Sequence, residues 1–154
     1  MKRYHTGFAS LIRYYGEDRA LHLTLTFPDN ITELCEASRF WHSISTNLVN
    51  KKYPVWLRVA ERTEQMRWHF HVLVFSEQPL VGRMLKVEQA FWREKALLFH
   101  FGRTEIKPVW NWKGLRHYLK KDFQHRMPCN RGLRLVTASS LARKVMDGKG
   151  PNSK

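Results

Sequence analysis

Two histidines flank a phenylalanine in the run Trp68-His69-Phe70-His71-Val72-Leu73-Val74-Phe75. On a strand, residues two apart project from the same face, so His69 and His71 offer two imidazoles to one side and can share a metal ion. The apolar run that follows would hold the strand rigid, as a coordination shell requires. Glu61 stands at the end of the preceding strand-like run, from which a carboxylate can reach across to the pair. Two nitrogens and one oxygen leave coordination positions open, which is what a metal needs to polarise a phosphate rather than to hold a fold together. Such mixed ligands suit Mn2+ or Mg2+. Simple alternation puts Glu61 on the same face as Val55, Leu57 and Val59, which reads as a core face, so the assignment calls for a bulge or twist near Ala60. Glu64 is the alternative ligand.

A second group of reactive residues lies in Gly114-Leu115-Arg116-His117-Tyr118-Leu119-Lys120-Lys121-Asp122. If this stretch is helical, Tyr118 shares one face with Lys121, three residues on, and Asp122, four residues on. A phenol with a pKa of about 10 is a poor nucleophile at neutral pH until a cation or a metal-bound phosphate stabilises its anion. Lys121 can supply that cation. Each motif also has a plainer reading: paired histidines in a core, and an amphipathic helix with a core tyrosine and solvated lysines.

The elements that must position these residues follow from periodicity. Ala20 to Phe27 alternates apolar and polar residues as a half-buried strand does, and puts His22, Thr24 and Thr26 on one face. From Asn30 to Val49, Leu34, Ala37, Trp41, Ile44 and Leu48 recur at spacings of three and four, an amphipathic helix with Asn30 and Glu33 as its capping box. Val55 to Glu61 and Trp68 to Phe75 read as a hairpin of strands, Arg83 to Phe99 as a helix stopped by Gly102, and Thr104 to Val109 as a fourth strand. Trp110 and Trp112 then lead into the helix that carries Tyr118. The order strand, helix, strand, strand, helix, strand, helix predicts an α+β fold, a ferredoxin-like antiparallel sheet with helices mainly on one face and the other face free for a ligand. Residues 1–130 form the predicted domain; 131–154 read as a basic, partly flexible extension.

The 154 residues carry a formal net charge of +14, which points to a polyanionic partner such as nucleic acid. No apolar run is long enough to span a membrane and the start, Met1-Lys2-Arg3-Tyr4-His5, lacks a secretory signal, so the expected compartment is the cytoplasm. Cys35 and Cys129 are too few for a disulfide framework.

Together these residues resemble the replication-initiator branch of the HUH endonucleases, found in rolling-circle plasmids, phages and small single-stranded DNA viruses. The resemblance spans roughly residues 20 to 125 and rests on Leu23-Thr24-Leu25-Thr26-Phe27, on His69-Phe70-His71, and on a Tyr-x-x-Lys satisfied by Tyr118 and Lys121, in that order. The resemblance implies that Tyr118 attacks a DNA phosphodiester, leaving a 5′-phosphotyrosine link and a free 3′-hydroxyl, with Lys121 neutralising charge and a metal on His69, His71 and Glu61 orienting the phosphate. It implies a single-stranded substrate, such as an origin hairpin, contacted by Thr24, Thr26, Arg58, Arg116, Lys120 and Trp112. A host helicase and polymerase would then be partners, in a prokaryotic cell or a virus-infected host. Trp110 and Trp112 can stack unpaired bases, although either can instead be core. The rival readings are a tyrosine transposase of the same superfamily, a relaxase using Tyr14 or Tyr15 with a third histidine such as His22 or His42, and a regulator that binds DNA without cutting it. An RNA-binding module is disfavoured because Phe70 and Phe75 fall on opposite faces.

Overall fold

The computed structural model describes residues 2–28, 31–63, 65, 67–120 and 136–150. The strands are β1 (Ala20–Thr26), β2 (Trp56–Arg62), β3 (Trp68–Phe75), β4 (Thr104–Pro108) and β5 (Val136–Ala138), joined in one antiparallel sheet of order β4-β1-β3-β2-β5. The helices are α1 (Lys2–Tyr15), α2 (Leu34–Ile44), α3 (Asn50–Lys52), α4 (Gly82–Leu98), α5 (Trp112–Lys120) and α6 (Ser140–Met146). From β1 to β4, the order strand-helix-strand-strand-helix-strand and the strand order 4-1-3-2 are the expected ferredoxin-like plan.

Alternation along the strands creates two cores. On the first face, Leu21, Leu23 and Leu25 of β1 and Trp68, Phe70, Val72 and Val74 of β3 pack beneath Leu34, Ala37, Trp41 and Ile44 of α2 and Trp92 and Ala96 of α4. A buried side chain such as Phe70 or Leu23 contributes about 1.5–3 kcal/mol relative to exposure. On the second face, Ala20, Leu57, Val59, Leu73, Phe75 and Val136 meet Phe8, Leu11 and Ile12 of α1 and Ala142 and Val145 of α6. The second face is therefore covered at this end.

That cover comes from the two ends of the chain. α1 has no counterpart among the sequence-based elements, although Phe8, Leu11, Ile12 and Tyr15 have helical spacing. Within the stretch expected to be a flexible extension, β5 pairs with β2 through Leu57↔Ala138 and Val59↔Val136. Ser139 locks this corner: its hydroxyl oxygen accepts from the N–H groups of Trp56 (3.1 Å) and Ala142 (3.3 Å), the second being the N-cap bond of α6.

Two boundaries also differ. α2 begins at Leu34 with Glu33 at the N-cap and no side-chain capping bond, and Asn30 lies outside the described residues, so the expected capping box is not what starts it. α4 ends in a Schellman motif: Phe101 N–H donates to Ala96 O and His100 N–H to Leu97 O. His100, with φ of 64°, occupies the left-handed position there rather than a glycine. Gly102 serves close approach instead, since a Cβ on it would meet the Phe27 backbone at 3.3 Å.

Candidate functional site

At the other end of the second face the same alternation presents polar side chains. In β1 these are His22, Thr24 and Thr26, in β3 His69 and His71, and in β2 Glu61. Cross-strand pairing sets Thr24 opposite His71, Thr26 opposite His69, and Glu61 opposite His69. The β2–β3 register runs unbroken from Trp56↔Val74 to Arg62↔Trp68, so the bulge expected near Ala60 is absent. Glu61 does share a face with Leu57 and Val59, as alternation demands. The face is divided along its length, and Glu61 lies beyond the apolar part.

His71 is the centre of the group, only 6% exposed. Its Nε2 lies 2.5 Å from Glu61 Oε2 and its Nδ1 2.9 Å from His22 Nε2. One proton per neutral ring satisfies both contacts: His22 Nε2–H donates to His71 Nδ1, and His71 Nε2–H donates to the Glu61 carboxylate. Thr24 Oγ1 lies 3.4 Å from His22 Nε2, and the Thr26 hydroxyl donates to the Arg103 carbonyl at 2.6 Å. Burial, the nearby His71 and the positive charge of Lys107 depress His22 to about 3 despite Glu61. His69 is also held below its usual value, first by burial and then by His71. Both imidazoles are therefore neutral at pH 7, the form in which they donate a lone pair.

Two neutral imidazoles and a carboxylate on one polar surface are the right donors for a divalent ion, but their arrangement is that of a hydrogen-bonded chain. Among the described residues no three His, Cys, Asp or Glu side chains are placed to hold a metal. Glu64 lies outside the described residues.

The remaining sequence-derived residues divide clearly. Tyr118 and Lys120 lie on α5, and Lys121 falls outside the described residues. Arg116 is half-buried, its guanidinium 5.2 Å from the Trp112 ring centroid. Trp112 packs on Phe8 with the rings 6.5 Å apart, as part of the core covering the second face, whereas Trp110 is 83% exposed. Of the two tryptophans, Trp110 is the one open to a base. Arg58, expected to touch DNA, is a correction. It points to the first face, 2% exposed, with its guanidinium 4.5 Å from the Phe70 centroid and 5.5 Å from that of Trp41. Burial lowers its pKa to about 10, so it stays charged, within the core. His22, considered only as a relaxase ligand, joins the group; its alternation with Thr24 and Thr26 was the signal.

Among the described residues no helix is long and apolar enough to cross a membrane. The family described as "Replication-associated protein ORF2" matches residues 20–127. The chain is also similar to a protein of Escherichia coli described as "Phasyl DNA replicon protein arp", 31% identical over 153 residues that cover 86% of this chain and 54% of that protein. The chain thus spans about half the length of this relative. No solved structure matches it.

Proposed function

The chain belongs to the family of replication-associated proteins of the ORF2 type, and from that premise we propose that it nicks and rejoins single-stranded DNA through Tyr118, as in the initiation of rolling-circle replication. The observation that carries the proposal is the contact between Glu61 Oε2 and His71 Nε2, which brings a carboxylate from one strand to the His-Phe-His pair on the next. The replicon named in the relative's description favours replication over transposition.

In the proposed reaction the Tyr118 oxygen forms a bond to phosphorus as the bond from phosphorus to the 3′ oxygen breaks. The phenol gives up one proton and the released 3′-hydroxyl gains one, so the exchange is balanced without a further reactant. The reverse attack reseals the strand. Lys121 would stabilise the phenolate. His69, His71 and Glu61 would hold Mn2+ or Mg2+, which when bound supplies charge neutralisation at the scissile phosphate. For Glu61 and His71 to serve, the proton they share must leave. His22 would then accept from His71 Nδ1–H and keep the ring oriented, since either tautomer of His22 can complete that bond. Thr24, Thr26 and Trp110 would line the path of the strand, and the high positive charge would draw it in. Strand separation would come from a host helicase.

The test incubates the protein with a set of single-stranded oligonucleotides, including hairpins, with Mn2+ or with EDTA, and looks for a covalent adduct on a denaturing gel. The adduct is expected with Mn2+ and is expected to vanish with EDTA and in Tyr118→Phe. Survival in Tyr118→Phe would reject the nucleophile. Binding without any adduct across the set would favour a regulator.

A further inference from the structure

β4 is one edge of the sheet, and a groove of about 510 Å3 runs between it and α4, lined by Gln89, Arg93, Leu97, Arg103 and Glu105 among others. Backbone hydrogen bonds fix what the edge offers. Arg103 O accepts from Thr26 N–H and Val109 N–H donates to Ala20 O, so the odd-numbered residues of this stretch turn toward β1. By alternation, Thr104, Ile106 and Pro108 turn outward. Gln89 Nε2 donates to the outward Ile106 carbonyl at 3.2 Å, and Pro108 has no N–H. An added peptide strand would find its acceptor engaged and its ladder cut short, which disfavours pairing with another protein.

What remains suits an anion. Thr104 and Ile106 direct amide N–H groups outward, and Arg93 and Arg103 are both exposed. Among the described residues neither arginine has a carboxylate partner, and Glu105 is the one acid lining the groove. The groove also joins the histidine surface directly. Thr26, cross-strand from His69, donates its hydroxyl to the Arg103 carbonyl, so a strand leaving the polar half of the second face at Thr26 meets the groove next.

We propose that this groove holds the backbone of the single strand flanking the nick, with Arg93 and Arg103 each on a phosphate and Leu97, 64% exposed, against a sugar or base. This rests on the reading of single-stranded DNA as the substrate. The two arginines add affinity without reading sequence, because phosphate contacts position a strand rather than specify it.

Binding can be separated from cutting by working in EDTA. The full chain is titrated into a fluorescein-labelled single-stranded oligonucleotide and anisotropy is followed over a series of salt concentrations. Each phosphate contact on a single strand contributes about 0.7 to the slope of log K against log salt, so Arg93→Ala/Arg103→Ala is expected to bind more weakly and to lower the slope by about 1.4. Arg93→Lys/Arg103→Lys should restore most of the slope, and Arg13→Ala, an exposed position on α1, should leave it unchanged. A wild-type protein that binds no single-stranded DNA would overturn the substrate reading itself. Wild-type binding with an unaltered slope in the double alanine variant would overturn the groove and leave that reading standing.

Discussion

The second face of the sheet has two halves built from the same three strands. At one end Ala20, Leu57, Val59, Leu73 and Phe75 lie under α1 and α6; at the other His22, Glu61, His69 and His71 form a hydrogen-bonded group. The change takes one same-face step on each strand: Ala20 to His22, Val59 to Glu61, Leu73 to His71. The site therefore inherits its rigidity from packing on its own strands. His71 sits cross-strand from Val59, so an imidazole with two polar partners borders a dry core, which strengthens both hydrogen bonds.

If the halves are as distinct as this, they can be broken separately. The largest effect on chemistry is expected from His71→Ala, which removes the residue both Glu61 and His22 address. Adduct yield should fall by about 100-fold or more, while urea unfolding stays cooperative and loses no more than about 3 kcal/mol. A protein that nicks normally without His71 would sever the group from the reaction. Two residues along the same strand, Leu73→Ala should do the converse. Leu73 is 2% exposed, and its truncation should cost about 2–5 kcal/mol of stability. Adduct formation per folded molecule at low temperature should remain within a few-fold of wild type. Equal losses of chemistry in both variants would mean that the boundary drawn between Leu73 and His71 has no functional meaning.

Much of this arrangement was written in local pattern. Period-two alternation put His69 with His71 and His22 with Thr24 and Thr26, and the runs around them gave the ferredoxin-like order. The error over Glu61 arose because alternation assigns a residue to a face but not to an end of it. What divides the face is the placement of α1 and α6, which come from opposite ends of the chain and meet only in the folded state. β5, with three residues, is too short for periodicity to register; it exists because β2 offers it an edge. Trp110 and Trp112 look alike in sequence, and only the position of Phe8 makes one of them core. The nucleophile rests on sequence alone, through the spacing of Tyr118 and Lys121.

Arg58 tests the contrast between the two faces and carries the smallest expected effect. In a strand with one solvated face, a basic residue between Leu57 and Val59 would point outward. β2 is covered on both sides, so Arg58 is driven into the first core, where Phe70 and Trp41 provide aromatic faces for its guanidinium. Such stacking is worth about 2 kcal/mol when desolvated and works against the cost of burying the charge. Replacing the cation by a flexible apolar side chain of similar length removes both contributions. Arg58→Met is therefore expected to change stability by no more than about 1–2 kcal/mol in either direction, and to leave the salt dependence of single-stranded DNA binding at its wild-type slope. Urea denaturation and the anisotropy titration in EDTA measure the two. A slope lowered by about 0.7 would mean that Arg58 holds a phosphate, and that the first face opens in solution.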